Sequence, residues 1–253
     1  MNNNRDASLI LHAVRIEDIV TVERLVQQDQ SLLEFKDPRT GNTPLHEACF
    51  CPSGSVWGFR VVKFLLDRGA SVNSINNAER GTPLHFATSI GNLAVVKILL
   101  DRGASVHSTN YTGNTPLHEA CISGNFEVVE VLLDRGASIN STNDARETPL
   151  QIASMRGDLD MVELLVEKGA DLDVPLFLAS RNGHSHVIDF LAERRASSLE
   201  AKNEKGNIVD ENVPSFASRF FKIELSQTQS WFIPLCLCWL FTIVMKMINS
   251  EQI

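Results

Sequence analysis

The sequence predicts an all-α repeat solenoid of paired antiparallel helices, and two strings that recur in step predict it. Thr-Pro-Leu-His occurs at Thr43–His46, Thr82–His85 and Thr115–His118, and returns as Thr-Pro-Leu-Gln at Thr148–Gln151, at intervals of 39, 33 and 33 residues. Leu-Leu-Asp-Arg-Gly-Ala-Ser keeps phase with it at Leu65–Ser71, Leu99–Ser105 and Leu132–Ser138. A fixed period between about 20 and 50 residues marks a stack of small units, each packed on its neighbours. The composition agrees: 253 residues, 43% hydrophobic and 21% charged, exclude collagen-like and wholly disordered chains.

Within a unit, the first helix opens at Thr-Pro. A Thr side chain caps free backbone amides, and Pro suits the first helical position, where its missing N–H is not needed. Leu117, Ala120 and Cys121 then fall on one face. A glycine ends this helix at Gly91, Gly124 and Gly157, as a left-handed turn requires. The second helix, Phe126 to Asp134 in the clearest copy, places Val128, Val129, Leu132 and Leu133 in one buried stripe. It stops at Gly69, Gly103, Gly136 or Gly169. The polar stretch before the next Thr-Pro, such as Ile139 to Glu147, is long enough for an extended hairpin and too short for another packed helix.

Helix, turn, helix and hairpin in about 33 residues, opened by Thr-Pro-Leu-His, resembles the ankyrin repeat. The resemblance covers Ser8 to Asn207 and implies a right-handed stack of helix pairs with hairpins projecting to one side. No unit has a core large enough to stand alone, so stability would come from nearest-neighbour interfaces. The resemblance assigns His46, His85 and His118 to hydrogen bonds that tie adjacent units; Gln151, in the fourth copy, also donates and accepts. Asn73 and Asn140 sit at the hairpin position where ankyrin repeats are sometimes hydroxylated.

Aligning on Ala13, Ala48, Ala87, Ala120, Ala153 and Ala179 gives about six units, approximately 8–40, 41–79, 80–112, 113–145, 146–172 and 173–207, in a repeat domain of residues 1–210. The interval from Ala48 to Ala87 carries an insertion between its two helices, read as the loop Cys51 to Phe59. Its Trp57 and Phe59 either anchor a partner or, the preferred reading, cover their own helix ends. The interval from Ala153 to Ala179 lacks its hairpin, which predicts an interrupted row of fingers between the fifth and sixth units.

A further Thr-Pro-Leu-His is due after Asn207, yet the pattern ends, leaving residues 211–253 as a non-repeat tail of zero net charge. Its segment 231–248, from Trp231 to Ile248, is apolar with Lys246 as the one charge, and as a helix it would reach about 27 Å against a hydrocarbon core of about 30 Å. Three readings stay open: a C-terminal membrane anchor with the repeats in the cytosol, an irregular cap on the last repeat, or a non-native end left by altered splicing. Cys236 and Cys238 inside it are either lipidated or, the preferred reading, small apolar residues.

The whole formal charge of −8 falls on the repeats, which excludes a nucleic-acid phosphate backbone as a partner. Five scattered cysteines form no disulfide framework, and the polar N-terminus is not followed by a secretory signal, so a cytoplasmic location and a monomer are expected. No phosphate-binding glycine loop, nucleophile elbow or His-Glu-x-x-His is present, and neither His184/His186 nor Cys49/Cys51 has zinc spacing. No enzyme, cofactor or metal site is therefore expected. The sequons Asn110-Tyr-Thr and Asn140-Ser-Thr read as coincidental in a cytosolic protein.

What remains is binding. The ankyrin resemblance implies a partner against the concave face of hairpin tips and first helices. By position that face comprises Arg39, Thr40, Asn42 and Glu47; Ala78, Glu79, Phe86 and Ile90; Tyr111, Thr112, Asn114, Glu119 and Ile122; and Asp144, Ala145, Glu147, Ile152, Met155 and Arg156. Five acidic and two basic groups surround Phe86, Tyr111, Ile122, Ile152 and Met155, apolar groups that by position the repeat's own core does not need. Such a face suits a basic protein or peptide with apolar anchors. The sequence thus reads as a non-catalytic interaction scaffold. The alternatives are a tail-anchored membrane adaptor and a substrate-recruiting subunit of a multi-chain enzyme.

Overall fold

A computed structural model describes residues 3–50, 55–172 and 175–204. The chain divides into two compact units, Met1–Ser198 and Leu199–Ile253, and the helix stack from its first helix onward forms the first of them. The tail 211–253 with its apolar segment 231–248, Cys236 and Cys238 lies outside the described residues, as do positions 51–54 of the insertion and positions 173–174 of the shortened fifth linker. Among the described residues, no helix is long and apolar enough to cross a membrane.

The helices are α1 (Asn3–Arg15), α2 (Ile19–Gln28), α3 (Pro44–Cys49), α4 (Val56–Asp67), α5 (Pro83–Ile90), α6 (Leu93–Asp101), α7 (Pro116–Ser123), α8 (Phe126–Asp134), α9 (Pro149–Arg156), α10 (Leu159–Glu167), α11 (Pro175–Arg181) and α12 (Ser185–Glu204). A short 3-10 turn, Gln30–Glu34, follows α2. The odd-numbered helices pack in one row from α1 to α11, and the even-numbered ones in a second row from α2 to α10. Between the rows runs one continuous core. Every Thr-Pro-Leu string delivers its leucine there: Leu45, Leu84, Leu117 and Leu150 are wholly buried, each contributing about 1.5–3 kcal/mol. From the opposite row come Val95, Val96 and Leu99, then Val128, Val129 and Leu132. Leu133, expected in that stripe, is only half-buried, because the stripe closes on Leu132.

The Thr-Pro starts behave as their chemistry requires. His46 Nδ1 accepts the Thr43 N–H at 3.1 Å, and the same bond recurs between His85 and Thr82 and between His118 and Thr115. In the fourth copy, Gln151 Oε1 takes the Thr148 N–H at 3.0 Å while Thr148 Oγ1 accepts the Gln151 N–H. Since Nδ1 is an acceptor, each imidazole is the neutral tautomer with its proton on Nε2. Nε2 then donates to the next unit: His46 to Gly81 O at 3.2 Å, His85 to Asn114 O at 3.1 Å and His118 to Glu147 O at 3.1 Å. Burial holds His46 and His85 down at about 4 and pushes His118 in the same direction.

On the second row, the Asp-Arg-Gly string and its Glu-Lys-Gly counterpart at Glu167–Gly169 make a staircase of ion pairs: Arg102 with Asp67, Arg135 with Asp101 and Lys168 with Asp134. These pairs are exposed and individually weak, but each crosses one interface in the same register.

The insertion departs from its expected form. Residues Val56 to Phe59, expected in a loop, are helical, and α4 has 12 residues where α6, α8 and α10 have 9. Ser55 explains the early start: its Oγ accepts the Gly58 N–H at 3.0 Å as an N-cap and donates to Glu17 Oε2 at 2.6 Å. Phe59 packs partly buried against the core.

Candidate protein-interaction face

The linkers were expected as extended hairpins; among the described residues no strand forms. Each linker is a tight turn whose two legs share a single bond of one kind, from Asp37 N to Asn42 O, Asn76 N to Gly81 O, Asn110 N to Asn114 O and Asn143 N to Glu147 O. One such bond per turn is too little for a ladder. The turns are held by their neighbours instead. Asn77 and Ala78 N–H groups donate to Thr40 O, Tyr111 N–H to Glu79 O at 2.8 Å, and Asp144 N–H to Thr112 O at 3.0 Å. Side chains repeat the link, with Asn76 Nδ2 to Asn42 Oδ1 at 2.9 Å and Asn143 Nδ2 to Asn114 Oδ1 at 3.0 Å. The four tips therefore form one bonded row.

The residue two before each Thr turns left-handed. Gly113 fits this site at φ 75°, where a Cβ would stand 2.6 Å from the Asp144 backbone nitrogen. Arg80 and Arg146 occupy the same position at φ 54° and 61°. A non-glycine residue there carries roughly 1 kcal/mol of strain. Arg146→Gly is expected to raise stability by no more than about 0.5 kcal/mol in urea melts, since about 1 kcal/mol of relieved strain is largely offset by about 0.5–1 kcal/mol of added chain entropy; a loss of about 0.5 kcal/mol or more would refute the strain.

The expected face residues divide into three groups. Arg39, Ala78, Glu79, Ile90, Tyr111, Ile122, Asp144, Ala145 and Arg156 are exposed; Thr40, Thr112, Glu119, Glu147 and Met155 are half-buried; Asn42, Glu47, Phe86, Asn114 and Ile152 are buried. The third group is a correction. Phe86 is 5% exposed and Ile152 4%, so both belong to the core and neither is a spare anchor. The Phe86 ring lies 4.6 Å from that of Phe50 and meets His46 edge-on at 5.6 Å. Glu47 is held inside by Arg15, whose Nε and Nη2 donate to it at 2.8 and 2.9 Å, and by Asn42 Nδ2 at 3.0 Å. Burial pushes the Glu47 carboxyl up, but these donors outweigh it and leave it below the ordinary range. Asn114 is committed to Glu119 and to the Asn143 link.

Tyr111, Thr112, Ile122, Asp144, Ala145, Glu147 and Met155, with the more buried Asn114 and Ile152, come together at one place, whereas Arg39, Thr40, Ala78, Glu79, Ile90, Glu119 and Arg156 do not line it. Tips Tyr111–Asn114 and Asn143–Glu147 on one side, and Ile122, Ile152 and Met155 on the other, enclose an open concavity of about 590 Å³. One contributor lies outside the expected set: Asn143 lines the concavity. Away from it, on the same row of first helices, Phe50 is 44% exposed and covers Phe86. Phe50 stands two residues after Ala48, in register with Ile122 after Ala120 and Met155 after Ala153, so the alignment carried the signal for it.

A second inter-unit bond follows no repeated letter. The carbonyls that end the first helices are capped by side chains of the following unit: Thr88 O by Asn125 Nδ2 at 2.7 Å, Ile122 O by Arg156 Nη1, and Met155 O by His184 Nε2 at 2.9 Å with Asn182 Nδ2 at 3.3 Å. His184 thus has a structural partner, and among the described residues no group of His, Cys, Asp and Glu has the makings of a metal site.

The family model for ankyrin repeats (3 copies) matches residues 54–143 and again residues 139–203, more than half of the chain. The chain is an ankyrin-repeat protein. Ankyrin repeats generally mediate protein–protein interaction. In this chain the ankyrin units set a row of cross-bonded tips beside a row of short first helices.

Proposed function

We propose that this ankyrin-repeat chain is a non-catalytic interaction scaffold that takes a basic protein or peptide with apolar anchors on its tip-and-first-helix face. The observation that carries the reading is the concavity, where Tyr111 (61% exposed), Ile122 and Met155 offer apolar contact beside the carboxylates of Asp144 and Glu147. Apolar anchors inside a polar rim are the arrangement that concentrates binding energy in a few residues, and the Asp144 and Glu147 carboxylates that line the concavity, with Arg146 of the same turn outside its lining, favour a basic group in the partner. The described residues direct their neutral histidines to backbone carbonyls across unit interfaces, which is a structural use of groups that might otherwise suggest chemistry.

The test compares capture of one cross-linked partner by the full chain, by a face variant (Tyr111→Ala, Ile122→Asp, Asp144→Lys) and by a variant of the second row (Lys97→Glu, Glu127→Lys). All of these positions are exposed. Capture is expected to fall at least about tenfold for the face variant, equivalent to about 1.4 kcal/mol, and to persist for the second-row variant. Equal capture by a folded face variant would overturn the reading.

A further inference from the structure

We infer that the last tip of the row is an open edge that receives one tight polar turn of a partner protein, with an amide or basic side chain at its first position and a free backbone N–H at its second. This goes beyond the docking reading above, since it uses the end of the tip row and not the apolar floor.

The stack itself shows what such an edge takes, because three contacts recur where one tip meets the next. The second residue of the incoming turn donates its N–H to the carbonyl three residues before Thr: Asn77 to Thr40, Tyr111 to Glu79 and Asp144 to Thr112. Its first side chain, Asn76 or Asn143, donates Nδ2 to the residue just before Thr, Asn42 or Asn114. Its last carbonyl, on Gly81, Asn114 or Glu147, accepts Nε2 of the preceding unit's histidine.

In the fifth unit the same three positions are Ala145, Glu147 and Gln151. Gln151 spends Oε1 on the Thr148 N–H, as the histidines spend Nδ1, which leaves its amide nitrogen as the donor. Pro175 follows Gly169 by 6 positions where Pro149 follows Gly136 by 13, so the next linker is too short to supply another turn. Among the described residues, Ala145 O, Glu147 Oε1 and Gln151 Nε2 meet no partner. Ala145 is exposed, and Glu147 and Gln151 are half-buried. An open backbone edge adds a segment of another chain. The carboxylate at the middle contact asks that segment for a donor, which Asn, Lys or Arg supplies.

The opposite end of the row excludes a second copy as the occupant. Its first turn begins Asp37-Pro38, so the amide due at Ala145 O is missing and a carboxylate would face Glu147. The next N–H, of Arg39, is spent on Asp37 Oδ1 at 2.8 Å. The two ends of the row are mismatched, which keeps copies from adding head to tail.

The probe is a backbone-cyclised peptide carrying Asn-Tyr-Thr-Gly-Asn-Thr, the sequence of residues 110–115, titrated into the full chain and followed by NMR shifts of backbone and Gln side-chain amides. Saturable binding centred on Ala145 and Gln151 is expected, at least about tenfold weaker for the same ring with Pro in place of Tyr. Gln151→Glu keeps an acceptor for the Thr148 N–H but removes the donor, and is expected to lose about tenfold or more. Gln151→His, the residue of the other three copies, should keep the binding. Silence at millimolar ring, equal binding of the Pro ring, or indifference to Gln151→Glu would overturn the inference. If binding instead falls only with Ile122→Asp, the ring lies in the concavity: the open edge is wrong and the docking reading stands. Sedimentation of the full chain is expected to show no self-association that Gln151→Glu removes; such association would make the occupant a second copy and overturn the choice of a partner.

Discussion

Between about pH 7 and pH 4, the ankyrin stack is expected to lose about 6 kcal/mol of stability through His46 and His85 alone. Each imidazole is buried as the neutral tautomer and is held at about 4, against 6.5 in the unfolded chain. The unfolded state therefore binds the proton first as pH falls. The stabilisation is complete above about 6.5, declines through the window from 6.5 to 4, and is spent below it. One pH unit of difference corresponds to about 1.4 kcal/mol, so each histidine accounts for about 3 kcal/mol by pH 4. His118 adds in the same direction. Glu47 and Asp37, held below the ordinary carboxylate range, extend the loss to lower pH. A domain's net stability is about 5–15 kcal/mol, so the stack should unfold near pH 4. Urea melts across this range measure the slope. Replacing the three histidines by Gln, the residue found at position 151, should flatten it, and a triple variant that keeps the wild-type slope would refute the assignment.

Phe86→Ala is expected to lower stability by about 3–5 kcal/mol, the range for deleting a buried phenyl ring. The ring fills the space between Phe50, His46 and the backbone of Gly81, where even a Cβ on Gly81 would come within 3.3 Å of it. Neighbouring side chains close such a space only partly, so the void persists and loses contact energy. The exposed Ile122→Ala is the comparison, with an expected change within about 0.5 kcal/mol. Thermal and urea melts of the two variants read the difference directly. Equal, small effects would return Phe86 to the surface set.

These two residues also mark how far the sequence could be read. The Thr-Pro-Leu-His string contains the whole local instruction for a first helix: a cap, a starter, a core leucine and a histidine that serves both its own turn and the next unit. The helices, their glycine stops and the histidine links were legible because each is written in neighbouring letters. Phe86 was not, because the position before the alignment alanine carries Glu in the second and fourth units, where it joins polar networks with Arg15 or Asn110. The position is in fact buried as Glu47, Phe86 and Ile152 alike, and at Phe86 the cover comes from Phe50, which lies 36 residues upstream in the chain. The helix-end caps were hidden for a related reason. Asn125 and His184 share one register, five residues after the alignment alanine, and Arg156 works from another, two residues earlier; the three differ in chemistry, so the caps do not read as one repeated letter. The linkers misled through length alone: nine mostly polar residues allow a hairpin, but support from the adjacent turn made paired strands unnecessary.

The bonds that join the units share one property with mechanical meaning. Histidine to carbonyl, tip to tip, cap to helix end and Asp to Arg, each spans a single interface and none skips a unit. A force applied at the two ends of the stack therefore passes through all interfaces in series, and the weakest one sets the yield point. A ligand lying along several units connects them in parallel. Such a ligand would act as a splint, stiffening the row it rests on, and its release would return the stack to the compliance of its softest joint.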